Sequence, residues 1–145
     1  MVAIDTSGKW WKGEDFSDLV EYIRLLTAEG YPADRVVQSV CTCGDTAFRL
    51  LVDQEEGCAQ RTCATCGEVA FICDSAEYWE DAKPKKVHCP RKHDVGEVAV
   101  GFSLREDGEV KWVTIGRRCI TCGILGSPVD WKINYGPSGH LLTMA

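Results

Sequence analysis

Long hydrophobic runs are missing from this chain. Hydrophobic residues make up 45% of its 145 residues, yet no stretch approaches the roughly 20 apolar residues that are needed to cross a bilayer. The first eight residues also lack the basic flank, apolar core and cleavage site of a secretory signal. These absences predict a cytoplasmic protein that does not bind a membrane.

Recognisable catalytic motifs are missing as well. The sequence contains no glycine-rich loop for cradling a phosphate, and no serine or cysteine nucleophile with a credible base. Only three histidines are present, and His140 has no partner at ligand spacing, so we expect it to be a surface or packing residue. The sequence therefore predicts a protein that is not an enzyme and shows no small-molecule substrate.

Basic residues are fewer than acidic ones in this chain. Sixteen basic residues face 22 acidic ones, which gives a formal net charge of −6. Nucleic-acid binding depends largely on neutralising phosphates, so this balance argues against a nucleic-acid partner. It favours a basic protein instead.

Cysteine, in contrast, is abundant, with nine residues. In a reducing compartment, closely spaced cysteines indicate a metal site more often than a disulfide, and an odd number fits a complete disulfide set poorly. Two of the spacings have the form C-x-x-C-G, at Cys63 to Gly67 and at Cys119 to Gly123. A tight turn of this kind brings two thiolates to one ion, and the glycine allows the chain to turn.

Hydrophobic periodicity predicts one helix and several short strands. The helix is expected over residues 15–28, capped by Asp15 or Ser17 and stopped by a left-handed Gly30 followed by Pro32. Asp107-Gly108 is a strong hairpin turn between two alternating runs. The predicted strands cover residues 35–40, 47–52, 68–73, 97–105 and 109–115, with a last short strand in the tail after residue 127.

The second half of the chain repeats the pattern of the first. Both C-x-x-C-G turns lie within the longer pattern R-x-C-x-T-C-G, and each follows a hairpin that starts just after an earlier group of candidate ligands. These motifs, over roughly residues 40 to 130, resemble the zinc-ribbon superfamily. The resemblance implies a mainly β fold of two tandem zinc ribbons with one amino-terminal amphipathic helix, and two zinc ions per chain. The expected division is a helical segment over 1–40, a first ribbon with a charged linker over 41–87, and a second ribbon with the tail over 88–145.

For the first site, the parallel between the repeats assigns Cys41, Cys43, Cys63 and Cys66. The C-x-C spacing of the first pair is one residue shorter than is usual in zinc ribbons. A rival set of Cys58, Cys63, Cys66 and Cys73 therefore stays open, although it breaks the parallel with the second repeat.

For the second site, the assignment is Cys89, His93, Cys119 and Cys122. His93 follows Cys89 at a usual ligand spacing, whereas the adjacent His88 would strain the geometry but stays the alternative. Cys58 and Cys73 are then expected to be ordinary buried thiols.

Other readings of these cysteines lead to different chemistry. Thiol redox activity requires a C-x-x-C at the start of a helix, but the residues after Cys66 are strand-like. Iron could replace zinc in the first site, and a catalytic zinc could occupy the second if no histidine closes it.

The leading functional hypothesis is a protein-binding module: a small bacterial regulator, adaptor or immunity-type protein with an acidic face for a basic partner. Acidic and aromatic side chains alternate in one segment, and the candidate docking patch is Asp74, Glu77, Tyr78, Trp79, Glu80 and Asp81. The competing interpretation of this segment is a solvated linker. Trp10 and Trp11 are consecutive residues that precede the predicted helix, and we expect both to pack on the domain.

The alternative function is a nucleic-acid-binding ribbon of the transcription or translation type. Its support is Arg117 and Arg118, which lie beside a C-x-x-C turn and could contact phosphate. In an acidic chain we expect these arginines to balance carboxylates or the thiolate-rich site instead.

Overall fold

The computed structural model describes residues 4–134 and 136–145. Tyr135, which the sequence places in the tail, and the first three residues of the predicted helical segment lie outside the described residues. Within them, no helix is long and apolar enough to cross a membrane.

The predicted amphipathic helix is present as α1, Phe16–Thr27. Asp15 caps it in a capping box: its carboxylate accepts from the Asp18 backbone amide, while the Asp18 side chain accepts from the Asp15 amide. The prediction that a left-handed Gly30 ends the helix is wrong, because Gly30 does not have a positive φ. The hydroxyl of Thr27 ends the helix instead, donating to the Ile23 carbonyl at 2.8 Å and accepting from the Ala33 amide at 3.1 Å.

The fold is mainly β, as predicted. Within the described residues, eight antiparallel strands form one sheet, and their bounds are β1 Arg35–Gln38, β2 Ala47–Asp53, β3 Cys58–Cys63, β4 Val69–Phe71, β5 Lys85–Lys86, β6 Gly96–Leu104, β7 Val110–Cys119 and β8 Leu125–Lys132. The main path runs in the order β4-β3-β2-β6-β7-β8, while β1 pairs with β6 and β5 with β2.

The same three-stranded arrangement occurs twice in this sheet. Strands β2, β3 and β4 form one antiparallel meander, and β6, β7 and β8 form the other. The two meanders join where β2 pairs with β6 through only two residue pairs, Ala47 with Glu97 and Phe48 with Gly96. Because these residues open their strands, the join places the two groups of candidate ligands near the same region of the sheet.

One hydrophobic core serves both meanders. Phe48 and Leu50 of β2 belong to the same buried cluster as Val98 of β6 and Val129 and Trp131 of β8. A second cluster lies under α1, where Leu19 and Ile23 cover Ala99 and Leu125. Gly116 and Gly101 make room for this helix, since a Cβ on either would lie within 2.8 Å of Ile23. Burial therefore ties the two halves of the chain into one body.

The charged segment 74–86, a candidate linker, is folded. It forms two 3₁₀ turns, Ser75–Glu77 and Trp79–Asp81, and then strand β5. A third 3₁₀ turn, Gly139–Thr143, closes the chain, and its Leu141 is buried in the main core.

Candidate metal centres

The first candidate centre brings together two cysteines from the turn before β2 and two from the end of β3 and the turn that follows it. Cys41, Cys43, Cys63 and Cys66 each offer an Sγ atom, and these four atoms all lie within 4.8 Å of one another. The Sγ atoms of Cys41 and Cys66 are 3.5 Å apart, and those of Cys43 and Cys63 are 3.7 Å apart. Both distances greatly exceed the roughly 2.05 Å of a disulfide.

Side chains around this first cluster bind its two turns to each other. The Thr42 hydroxyl donates to the Glu68 carboxylate at 2.7 Å, and the Thr65 hydroxyl donates to the Asp45 carboxylate. Each bond joins a residue of the first turn to one of the second. The cluster is buried on one side and open on the other, because Cys41 and Cys63 are buried while Cys43 and Cys66 are exposed.

The second candidate centre has the same position in the second meander. Cys89, His93, Cys119 and Cys122 offer ligand atoms within 4.8 Å of one another. The Nδ1 atom of His93 lies 3.4 Å from the Cys89 Sγ and 3.6 Å from the Cys119 Sγ, and the Sγ atoms of Cys122 and Cys89 are 3.8 Å apart. Cys89 and Cys119 are buried, and the other two ligands are partly exposed.

The separations within both clusters fit tetrahedral coordination. Four thiolates at about 2.3 Å from a central zinc ion would be separated by about 3.8 Å, and a thiolate and an imidazole nitrogen by about 3.5 Å. The sulfur–sulfur distances of 3.5, 3.7 and 3.8 Å and the nitrogen–sulfur distances of 3.4 and 3.6 Å agree with these values. Both clusters are therefore compatible with a metal ion.

Backbone hydrogen bonds prepare one thiol in each C-x-x-C turn for ionisation. The amide of Cys66, assisted by that of Thr65, lowers the pKa of Cys63 to about 7. Burial opposes ionisation of Cys119, but hydrogen bonds from the amides of Cys122 and Thr121 outweigh it and lower the pKa of Cys119 to about 6. Since a metal binds thiolates, each cluster offers a first ligand near neutral pH, and metal binding releases the remaining thiol protons.

The structure brings together the assigned ligands and separates the alternatives. Cys58 and Cys63 lie at opposite ends of β3, about 16 Å apart at the usual rise per residue, so the rival set does not converge. Cys58 and Cys73 are buried, and burial raises the pKa of Cys58 to about 11 and raises that of Cys73 further. His88 is exposed, and its Nδ1 lies 2.8 Å from the Cys89 carbonyl oxygen, outside the second cluster. His140 is exposed in the last 3₁₀ turn.

Four turns carry the ligands, and one of them departs from the others. Gly44, Gly67 and Gly123 have positive φ and donate their amides back to the cysteine that opens the turn. In the turn after Cys89 this position is Lys92, with φ of 67° and the same hydrogen bond at 2.8 Å. A lysine side chain therefore occupies a conformation that favours glycine.

We expect Lys92→Gly to stabilise the zinc-loaded protein by about 0.5 kcal/mol. Relief of the left-handed backbone contributes about 1 kcal/mol, and the greater freedom of glycine in the unfolded chain offsets about half of it. The measurement is the urea midpoint, with Lys92→Ala as the matched control that keeps the strained φ. Equal midpoints for the glycine and alanine variants would contradict this account.

The predicted docking patch is partly tied to the fold. Three of its members, Asp74, Tyr78 and Trp79, contact other parts of the protein. The Trp131 indole donates to the Asp74 carboxylate at 3.0 Å, and the Asn134 amide donates to the Tyr78 hydroxyl at 2.8 Å. The Trp79 ring packs on Phe71. The other three members, Glu77, Glu80 and Asp81, are exposed. The exposed part of the patch is therefore acidic.

The two arginines beside the second C-x-x-C turn lie within the protein. Arg118 is paired with the Glu97 carboxylate, which it contacts through Nε at 2.7 Å and also through Nη2. Arg117 is only 4% exposed, and its Nη2 donates to the His93 carbonyl at 2.8 Å.

An exposed aromatic face was missed by the sequence analysis. Trp10 and Trp11, expected to pack on the domain, are 42% and 38% exposed. They line a cavity of about 490 Å³ along α1, and Tyr31 stacks on Trp112 in the neighbouring cavity. The apolar periodicity of the helix predicts that Leu26 lies on its buried face, but Leu26 is 51% exposed and Leu25 is 48% exposed. The aromatic face comprises Trp10, Trp11, Tyr22, Leu25, Leu26 and Tyr31.

Comparison with protein-family models, with curated proteins and with solved structures gives no match to this chain.

Proposed function

We propose that this chain is a non-catalytic structural-zinc protein of the zinc-ribbon type that holds two zinc ions. Cys41, Cys43, Cys63 and Cys66 would hold one ion, and Cys89, His93, Cys119 and Cys122 the other. The observation that carries this proposal is the convergence of four ligand atoms to within 4.8 Å of one another in each cluster. Zinc supplies a cross-link there: each ion fastens the turn before a hairpin to the turn that ends it.

The two ligand sets support a structural rather than a catalytic role for the zinc ions. Structural sites have four protein ligands, whereas a catalytic zinc keeps one position open for water or substrate. His93 supports closure of the second site, because its Nδ1 lies 3.4 and 3.6 Å from two of the sulfurs, the separation expected for two ligand atoms of one zinc ion. The mixed Cys₃His set also favours zinc over iron at that site.

The second part of the proposal is that the zinc scaffold acts as a protein-binding module for a basic partner, as a regulator, adaptor or immunity-type protein. Its support is the net charge of −6 and the exposed carboxylates of Glu77, Glu80 and Asp81. Acidic groups on a surface steer a basic partner towards it. The aromatic face adds the kind of exposed apolar area that protein interfaces use.

Nucleic-acid binding has less support at the arginines that prompted it. The guanidinium of Arg118 is paired with Glu97, and Arg117 is buried, so neither is presented to a phosphate backbone. This observation favours the protein partner.

The test of the binding function is affinity capture with quantitative mass spectrometry. We expect the zinc-loaded protein to retain a basic protein, and the variant Glu77→Gln/Glu80→Gln/Asp81→Asn to retain at least fivefold less of it. A matched control, Glu55→Gln/Glu56→Gln/Glu106→Gln, removes the same charge from exposed positions elsewhere and should bind as the wild type does. Equal capture by both variants, or a mobility shift of nucleic acid at moderate salt, would overturn the proposal.

A further inference from the structure

A small pocket lies between the Cys89 turn and β8, beside the second metal centre. Its volume is about 260 Å³, near the lower end of the range of small-molecule sites. Apolar side chains form most of its walls, among them Trp10, Val87, Pro90 and Pro128, and its polar lining side chains are His88, Arg117 and Ser127.

Arg117 is a buried cation that lacks a carboxylate partner. Its side chain is 96% buried, and its Nε has no hydrogen-bond partner among the described residues. No carboxylate in the described part of the chain lies within 4.0 Å of it. Gly96 provides the space for this side chain, since a Cβ there would lie 2.9 Å from the Arg117 Nε. A guanidinium in this position is costly to bury unless an anion compensates it.

The next residue of β7, Arg118, does have an anion that balances its charge. Its guanidinium forms an ion pair with the carboxylate of Glu97 on β6. A zinc ion with three thiolates and a histidine carries a net charge of about −1, which compensates part of the Arg117 charge through space. It does not satisfy the hydrogen-bonding capacity of the guanidinium, which fits a planar carboxylate.

The other polar side chains of the pocket already have partners. The Ser127 hydroxyl donates to the Ile115 carbonyl at 2.7 Å. The Nδ1 of His88 faces the Cys89 carbonyl at 2.8 Å, and since a carbonyl only accepts, this nitrogen carries the proton. The Arg117 guanidinium is the permanently charged group among these largely apolar walls. Its Nη2 is bonded to the His93 carbonyl and its enclosed Nε lies beside Gly96, so a ligand in the pocket would pair with the remaining terminal N–H groups.

We propose that this pocket binds a small organic carboxylate, whose charged group pairs with Arg117 and whose apolar body lies against Trp10 and the two prolines. The net negative charge of the protein does not prevent this, because at physiological salt charges beyond about 8 Å are largely screened. The test of this proposal is separate from that of the basic protein partner, because Glu77, Glu80 and Asp81 do not line the pocket; Trp10 lines it and also belongs to the aromatic face.

The test is a titration of the zinc-loaded protein with benzoate, followed by amide chemical shifts. We expect saturable shifts at Gly126, Ser127 and Arg117 with a dissociation constant of about 1 mM or tighter, as suits a ligand of this size. Benzamide, which has the same shape without the charge, should bind at least tenfold more weakly. Equal binding of benzoate and benzamide would overturn the proposal.

Two variants locate the site. Gly126→Leu adds a side chain in the pocket at a position where no atom lies within 4 Å of the new Cβ, and it should abolish the benzoate shifts while both zinc ions stay bound. Gly30→Leu is the matched control, at an equally open position that lines a different cavity, and it should bind benzoate normally. Arg117→Met should weaken benzoate at least tenfold. Benzoate binding that persists in Gly126→Leu would show that the pocket is not the site.

Discussion

Removal of the two proposed zinc ions with excess EDTA is expected to unfold the protein. Structural zinc in small domains contributes apparent binding free energies of about 10–16 kcal/mol per ion at neutral pH, whereas a whole domain is stable by only about 5–15 kcal/mol. The strands of the first meander have seven, six and three residues, and in both meanders the two ligand turns meet at the candidate metal site. Without the ions, the clustered thiols leave these turns unlinked.

The unfolding can be followed through the environment of Trp131. This residue is 6% exposed, belongs to the core shared by both meanders, and packs on Gly57. We expect the near-UV circular dichroism and the cooperative thermal transition to disappear together after chelation. Both should return when zinc is added, and calcium should not restore them. A protein that keeps both signals after complete removal of zinc would contradict the proposed structural role.

Loss of a single ligand is expected to have the second-largest effect. Cys119→Ala removes a fully buried thiolate from the second site, and we expect this variant to retain one zinc ion and to unfold at least 10 °C below the wild type. A loss of about 3 kcal/mol is enough for such a shift in a domain of this size. Because loss of a structural zinc ion costs more than this, the shift of about 10 °C is a lower bound. Cys63→Ala should act in the same way on the first site.

Cys58→Ala is the matched control for both ligand variants. Cys58 is as fully buried as Cys119 but belongs to neither cluster. The substitution should cost about 1 kcal/mol through the lost sulfur contacts, lower the melting temperature by only a few degrees, and leave two zinc ions bound. Loss of zinc from Cys58→Ala, or two ions retained by Cys119→Ala, would show that the ligands are wrongly assigned. The measurements are metal content and thermal melting of each purified variant.

The positions of the candidate ligands could be predicted because they depend on local chemistry. A C-x-x-C-G turn brings its two sulfurs together whatever surrounds it, and a hairpin returns the chain to an earlier ligand. The spacing alone allowed both the set with Cys41 and Cys43 and the rival set with Cys58 and Cys73. The decision comes from β3, which carries Cys58 to the end remote from Cys63.

The arrangement of the two halves could not be predicted, because it depends on contacts that are remote in the sequence. The two meanders join through only two residue pairs between β2 and β6, and no local pattern marks them. The left-handed Lys92 was equally hidden, since a lysine gives no signal of a positive φ. The folding of segment 74–86 depends on partners such as Trp131, which is 57 residues from Asp74.

The burial of Arg117 could not be predicted from the sequence either, because it also depends on contacts that are remote along the chain. In the sequence it stands beside Arg118 and next to a ligand turn, and the two arginines look alike. The structure separates them because Glu97 of β6 lies directly opposite Arg118 of β7, while the glycine at position 96 leaves space for the Arg117 side chain to turn inward.

The central claim is tested most directly by the zinc content of the intact protein, measured by native mass spectrometry on material purified without added metal. The account predicts a single dominant species that carries two zinc ions, and one ion each in Cys63→Ala and Cys119→Ala. A folded wild-type protein that carries one zinc ion, none, or iron in place of zinc would contradict it.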